Sequence, residues 1–358
     1  MLTPRRTIAI VVTITAGAVF LLGLLWWRAL GTSDEMASAL VDRLAASAPM
    51  IEREIEATLA TWESTATATE EIAGLPDSGT LIVYGPNGIV RVRGNRLAYC
   101  PQIVPSEVQA DDRLSRAQDA EFKRHDVEAA IAAYREAASS TGRTVRAVAT
   151  AGLGRCLRAQ GKNKEALAAF GELEEMVEAV VDGVPAPFVA YRERAVIFAG
   201  MGDAAAAAQE ESRIAATLMA RDILIEKPAF DTLAKSLTPG RFPSELLARA
   251  AAVNTIWPRL RTEPSGRAIA GDGLWAFAAI WRPSKSDSEP ASRAIVASVD
   301  ALMTRAQTIA ANLSVAISLE DTASKHLWGP APAGSDAARY PLDRIGLPVT
   351  MRLSLKTP

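Results

Sequence analysis

The chain has only two cysteines, Cys100 and Cys156, and two histidines, His125 and His326, and none of the four is close to another in sequence. No CxxC, HExxH or Cys/His cluster exists, which excludes a zinc site of the usual spacings. An excess of one charge is missing too. Against 39 lysines and arginines stand 41 aspartates and glutamates, a formal net charge of -2. Nothing therefore draws the chain generally to nucleic acid, and no nucleic-acid partner is expected. Aromatics are few, at 6%, while alanine is abundant. That balance favours helices, because alanine loses no side-chain entropy in one. A disulfide between Cys100 and Cys156 needs an oxidising compartment; the simpler reading is two small buried apolar side chains.

One long apolar run is present. Thr7 to Trp27, TIAIVVTITAGAVFLLGLLWW, is 21 residues without a charge. At about 1.5 Å per residue it spans roughly 31 Å, the thickness of a hydrocarbon core. Arg5 and Arg6 precede it, and Trp26 and Trp27 close it where indole rings favour the headgroup layer. The expectation is a cytoplasmic tip at 1–6 and a transmembrane helix at 7–27. The bulk of a single-pass inner-membrane protein then lies in a bacterial periplasm or its equivalent. Ala29-Leu30-Gly31 resembles a signal-peptide cleavage site, but the run is longer than the usual apolar region of such a peptide, so an uncleaved anchor is expected.

Residues 33–75 read as a helical stalk. Val41, Ala48, Ile55 and Trp62 recur every seven residues, with Leu44 and Ile51 at the alternate positions. This is the spacing of a short coiled-coil seam, and it admits either a homodimer through residues 41–62 or an amphipathic helix packed on its own chain. Pro49 removes a helical hydrogen bond and is expected to kink it. A β-hairpin is predicted over 79–100. Thr80 to Tyr84 and Ile89 to Arg93 are β-rich, and Gly85-Pro86-Asn87-Gly88 between them has the residues a hairpin turn demands.

Residues 160–170, QGKNKEALAAF, pose the choice that decides the functional reading. A phosphate-binding loop needs G-x-x-x-x-G-K-[ST] after a strand. Cys156 stands where the first glycine belongs, Asn163 follows Lys162 in place of a hydroxyl, and the lead-in over 146–160 is helical in pattern. The loop is excluded. The stretch instead matches KRHDVEAAIAAYREA at 123–137 and AGMGDAAAAAQEESR at 199–213. Ala130, Ala166 and Ala207 coincide. Tyr134 and Phe170 coincide four residues later, where the third segment has Glu211. The turns align as His125-Asp126, Gly161-Lys162 and Gly202-Asp203, and the second unit carries Leu153-Gly154 and Leu157 on its first helix. This pattern resembles the tetratricopeptide repeat over residues 111–220, about a third of the chain. The resemblance implies antiparallel helix pairs in which small residues let helices approach and an aromatic fills the groove to the next unit. The third unit departs from it at Arg194-Ala195 and Glu211, as a capping unit would.

Residues 221–358 read as a helical linker, broken at Pro228, Pro239 and Pro243, followed by a small membrane-proximal α+β domain. Its predicted parts are a hairpin of 267–270 and 274–282, a helix over 290–312, and strands at 313–319 and 349–355. A sheet beside helices is analogous to extracytoplasmic sensor folds, and the strands at 80–99 are candidates to join it. The fold class predicted for the whole is mainly α: transmembrane helix, stalk, tetratricopeptide-like α-solenoid and small α+β domain.

The layout of anchor, stalk, YGPNGIVR hairpin, repeats and terminal GLPVTMRLSL also resembles the extracytoplasmic input region of bacterial membrane sensor histidine kinases. In that family a second membrane helix and the kinase core follow, and neither is present here. Neither His125 nor His326 carries a phospho-acceptor signature. No G-x-S-x-G element exists. The acidic runs Glu52/Glu54/Glu56, Glu172/Glu174/Glu175 and Glu210/Glu211 read as solvated helix faces before acid–base pairs. Asn312-Leu313-Ser314 is a glycosylation triplet of little weight in a bacterial chain. Trp275 and Trp281 read as core residues before pocket walls. No enzyme activity, cofactor or metal is expected. The expected function is a sensory or binding region of a signalling protein, taking a protein, peptide or small ligand. The alternative is an anchored periplasmic tetratricopeptide scaffold for secretion or envelope assembly. The residues that define the repeats are Ala130, Tyr134, Leu153, Gly154, Gly161, Ala166, Phe170, Gly202 and Ala207.

Overall fold

The computed structural model describes residues 38–67, 74–103, 111–220, 223–235, 237, 240, 242–283, 292–331 and 337–355. They fall into two compact units. One comprises Ala57–Met303 with Gly346–Pro348; the other takes Thr304–Ile345, Val349–Pro358 and the described part of Met1–Glu56. The fold class differs from the expectation. Helices stand beside three antiparallel sheets of five, four and two strands among the described residues, so the class is α+β rather than mainly α. Among the described residues no helix is long and apolar enough to cross a membrane. The run at 7–27 lies outside them, and the expected membrane helix is without support.

The first helix, α1, covers residues 38–67 and runs through Pro49. Of its seven-residue seam, Val41 is exposed, while Leu44, Ala48, Ile51, Ile55 and Trp62 are buried in the chain's own packing. That is the packing of an amphipathic helix within its own chain.

The five-stranded sheet has the order β2-β1-β7-β6-β5. Its strands are β1 (Thr80–Gly85), β2 (Gly88–Gly94), β5 (Gly266–Ala270), β6 (Phe277–Pro283) and β7 (Ser292–Ser298). The early hairpin is completed by β7, with Leu81 opposite Ile295 and Val83 opposite Arg293. The helix expected over 290–312 is thus divided. SRAIVAS forms strand β7, and helix α10 begins only at Val299 and ends at Asn312. The reason is position: β7 lies between β1 and β6, and Ala294 to Ala297 are fully buried. A strand buried on both faces is apolar without alternation, and its sequence looks like a buried helical turn. The predicted hairpin partner 274–282 begins later, at Phe277. Leu274 and Trp275 sit in a short 3-10 turn, where Trp275 is 38% exposed. Trp281 is fully buried and donates from Nε1 to the Glu263 carbonyl at 3.1 Å.

The other unit contains β8 (Val315–Asp321), β9 (His326–Trp328), β10 (Ala338–Pro341) and β11 (Val349–Leu355), in the order β10-β11-β8-β9. Ile317 faces Leu353 and Leu319 faces Met351, all buried. On the opposite face Glu320, 4% exposed, is paired with Arg352 at 2.6 Å. The single α+β domain expected at the C-terminus is therefore two sheets in two units.

Between β2 and β5 lie, last in the chain, α8 (Lys227–Lys235) and α9 (Ser244–Thr262) and, before them, six helices packed in sequence order. They are α2 (Asp112–Gln118, continued as a π-helical turn Asp119–Lys123), α3 (Val127–Ala138), α4 (Arg143–Ala159), α5 (Asn163–Glu174), α6 (Ala186–Gly200) and α7 (Ala204–Ala220). They form three hairpins, α2–α3, α4–α5 and α6–α7, whose turns follow one rule. His125, Gly161 and Gly202 occupy the same left-handed position, at φ +55°, +74° and +81°. Behind Gly161, Lys162 N–H reaches the Leu157 carbonyl at 3.0 Å; behind Gly202, Asp203 N–H reaches Phe198 at 2.9 Å. These bonds satisfy carbonyls that a helix end otherwise leaves bare. In the first hairpin the equivalent bond runs from Asp126 N–H to Ala120, one residue further back, because the π turn inserts a residue. Glycine is free of the Cβ penalty at such a position and histidine is not. His125→Gly is expected to raise stability by about 1 kcal/mol. An unchanged or lower urea midpoint would show that the exposed His125 side chain has a compensating role.

Candidate functional site

The first helix of the second hairpin, α4, is the centre of the array. Two of its glycines lie against aromatic rings. A Cβ on Gly152 would stand 2.5 Å from Tyr134 Cε1 of α3, and one on Gly154 would stand 2.6 Å from Phe170 Cζ of α5. Tyr134 and Phe170 are both fully buried. The aromatic of each second helix thus fills the space opened by a glycine on α4, once across hairpins and once within one. Ala130 and Ala166 are fully buried and Ala207 is 9% exposed; Leu153 is partly buried against the core. No atom approaches the Cβ positions of Gly161 and Gly202 within 4 Å, so their requirement is backbone conformation alone.

Charged side chains of this face are neutralised in pairs and clusters. Glu121 accepts from Arg155 Nε at 3.2 Å and Nη2 at 2.9 Å, and also from the Tyr134 hydroxyl. Burial, and then the bond to Glu121, push the Tyr134 hydroxyl well above its ordinary pKa. Burial works against the charge of Arg155, but Glu121 outweighs it and holds the guanidinium above its usual range. Glu193 is shared by Arg158 and Arg192. In the third hairpin, which lacks the aromatic, Arg194 joins Glu174 at 2.8 Å and Glu210 at 2.7 Å. Arg213 reaches both carboxylates, and the Tyr191 hydroxyl donates to Glu174 at 3.1 Å.

A cleft of about 380 Å³ opens along the first helices of the second and third hairpins. Ala151, Phe170 and Val189 are among its apolar lining, and Arg155, Arg192, Glu193 and Glu226 among its charged lining. One wall is a two-residue hairpin, β3 (Val180–Val181) and β4 (Val184–Pro185), turned by Asp182 and Gly183 at φ +52° and +79°. The opposite wall is helix α8 (Lys227–Lys235), through Pro228 and Ala229. The small hairpin was missed in the sequence although its signal was there: Asp-Gly between two valines is a strong short-range turn. The charge cluster had no sequence signal, since residues 174, 194 and 210 meet only after three helices pack.

Among the described residues that line the cleft the one hydroxyl is Thr232, which donates to the Pro228 carbonyl of its own helix at 2.9 Å. Cys156 is buried, and burial followed by the charge of Glu121 pushes its thiol up to about 11. Cys100 is likewise buried, its thiol pushed up to about 12 by burial and then by Glu226, and both thiols are free. Among the described residues no group of three or more His, Cys, Asp or Glu is placed to hold a metal ion. Comparison with protein-family models, with curated proteins and with solved structures finds no match to this chain.

Proposed function

We propose that the chain is a binding module that takes an extended segment of a partner protein or peptide into the cleft beside α4 and α6. The observation that carries this reading is the cleft itself. Apolar side chains line it beside Arg155, Arg192, Glu193 and Glu226, and Glu121 and Glu193 already orient the two arginines. Preorganised charges of this kind recognise without first losing side-chain freedom. The helical hairpins, with their Gly-aromatic contacts and repeated turns, support a tetratricopeptide-like scaffold. Serial hairpins of that class present the surface of their first helices to extended partners. Coupling of this binding to a signalling output is the larger role we infer; a secretion or envelope scaffold would use the same cleft.

Selection of a random dodecapeptide library on the purified full-length protein tests the reading. Enriched peptides are then measured by fluorescence anisotropy against Ala229→Trp, which fills the cleft from the partly buried face of α8, and against Arg192→Glu. Each is expected to weaken binding by about tenfold or more, equivalent to about 1.4 kcal/mol, with unchanged thermal unfolding. A selection that enriches nothing, or peptides that bind Ala229→Trp as well as the parent, would sink the proposal.

A further inference from the structure

A second groove lies along the outer edge of the five-stranded sheet. It measures about 460 Å³ and is lined by Val90, Arg91, Val92, Arg93, Arg96 and Leu224, with three arginines and no carboxylate among its lining residues. β2 is the edge strand, and among the described residues its outer side is bridged only at one end, where Ile89 pairs with Ile103. The backbone alternation shows which groups face outward. Asn95 N–H turns inward to the Gly79 carbonyl at 2.9 Å. Arg93 and Arg91, two and four residues back, therefore bond inward to Leu81 and Val83, and the peptide groups of Val92 and Gly94 point out. Arg91 is exposed and Arg93 half-buried. Neither has an ion-pair partner among the described residues, whereas Arg267 and Arg282 farther along the sheet share Glu63.

The geometry points to β-strand addition: β2 accepts an extended acidic peptide segment. Val92 and Gly94 supply the ladder, and Arg91 and Arg93 receive carboxylates on the incoming strand. A groove beside the open peptide groups of an edge strand suits this recognition mode, in which main-chain bonds give affinity and side chains give specificity. The same arginines choose the occupant. A second copy of this chain pairing antiparallel through β2 would set Arg91 against Arg93 across the join, and like charges directly opposite repel. An acidic strand turns that repulsion into attraction. This inference is independent of the cleft on the helical hairpins.

The test uses the full chain and three labelled hexapeptides: acetyl-EVEVEV-amide, its lysine counterpart KVKVKV, and EVEVEV N-methylated at alternate residues to remove ladder donors. The acidic peptide is expected to bind at low salt and to weaken with rising ionic strength. It should lose at least about tenfold in affinity on Arg91→Ala/Arg93→Ala. The lysine and N-methylated peptides should bind at least about tenfold more weakly to the parent protein. Because Arg91 and Arg93 are at the surface, the double variant is expected to melt with the parent. Three results would overturn the proposal: no binding of EVEVEV, equal binding of its N-methylated form, or a dimer in sedimentation that Arg91→Glu/Arg93→Glu dissolves.

Discussion

Gly154→Ala is expected to destabilise the chain by up to about 2 kcal/mol, although alanine is the better helix former. In an exposed helix interior the exchange stabilises by about 1 kcal/mol. On α4 the added methyl meets the Phe170 ring at 2.6 Å from Cζ, and that ring is fully buried. Overpacking of this kind costs about 1–3 kcal/mol, because the ring moves only by displacing its own neighbours. Gly171 on α5 provides the internal control. Nothing lies within 4 Å of its Cβ position, so Gly171→Ala is expected to stabilise by about 1 kcal/mol. Two glycines seventeen residues apart should therefore respond to one substitution with opposite sign. Urea unfolding of both variants decides it, and Phe170→Leu should recover part of the Gly154→Ala loss. Stabilisation by Gly154→Ala would mean that α4 and α5 are not held at this distance.

The larger effect is expected at Arg194. It is 8% exposed and bonds Glu174 and Glu210, which are also largely buried. Burial opposes its charge, but the bonds to Glu210 and then Glu174 outweigh this and hold its pKa above the usual arginine range. Arg194→Met removes the charge that answers two carboxylates in a place poor in water. Breaking a buried pair from one side costs about 3–5 kcal/mol; the half-buried Arg213 still reaches both carboxylates, so the lower end of that range is expected. The asymmetry of buried ion pairs gives the sharper test. A triple variant, Arg194→Met with Glu174→Leu and Glu210→Leu, takes out all three charges together and should recover most of the lost stability. Equal losses in the single and triple variants would show that the cluster acts through shape rather than charge.

These two contacts differ in how far they were visible beforehand. Gly154 and Phe170 both stand in a repeating pattern, so their meeting follows from the pattern once the helices pair. Gly152 and Tyr134 make the same contact across hairpins, yet Gly152 has no counterpart in the repeat pattern. Glu174, Arg194 and Glu210 were read as parts of solvated faces or departures from a motif. Charge runs on helices usually are solvated, and only the packing of α5, α6 and α7 takes these three out of water. The strand β7 shows the same limit in another form. Its apolar run has no alternation, and its identity depends on β1, more than two hundred residues earlier, lying beside it.

The sequence by itself determined the local geometry of the hairpin array. Left-handed turns need Gly161 and Gly202, close helices need small residues, and such requirements are met within a few residues of chain. It also carried the Asp182-Gly183 turn and the spacing that buries one face of α1. Only the tertiary structure decided where the early hairpin goes, which charges are buried together, and that the terminal strands serve two sheets rather than one. It also decided that the cleft and the edge groove exist at all. Those are contacts between residues far apart in the chain. Periodicity states which face of an element is apolar, while the element that comes to cover that face is chosen by the packing of the whole.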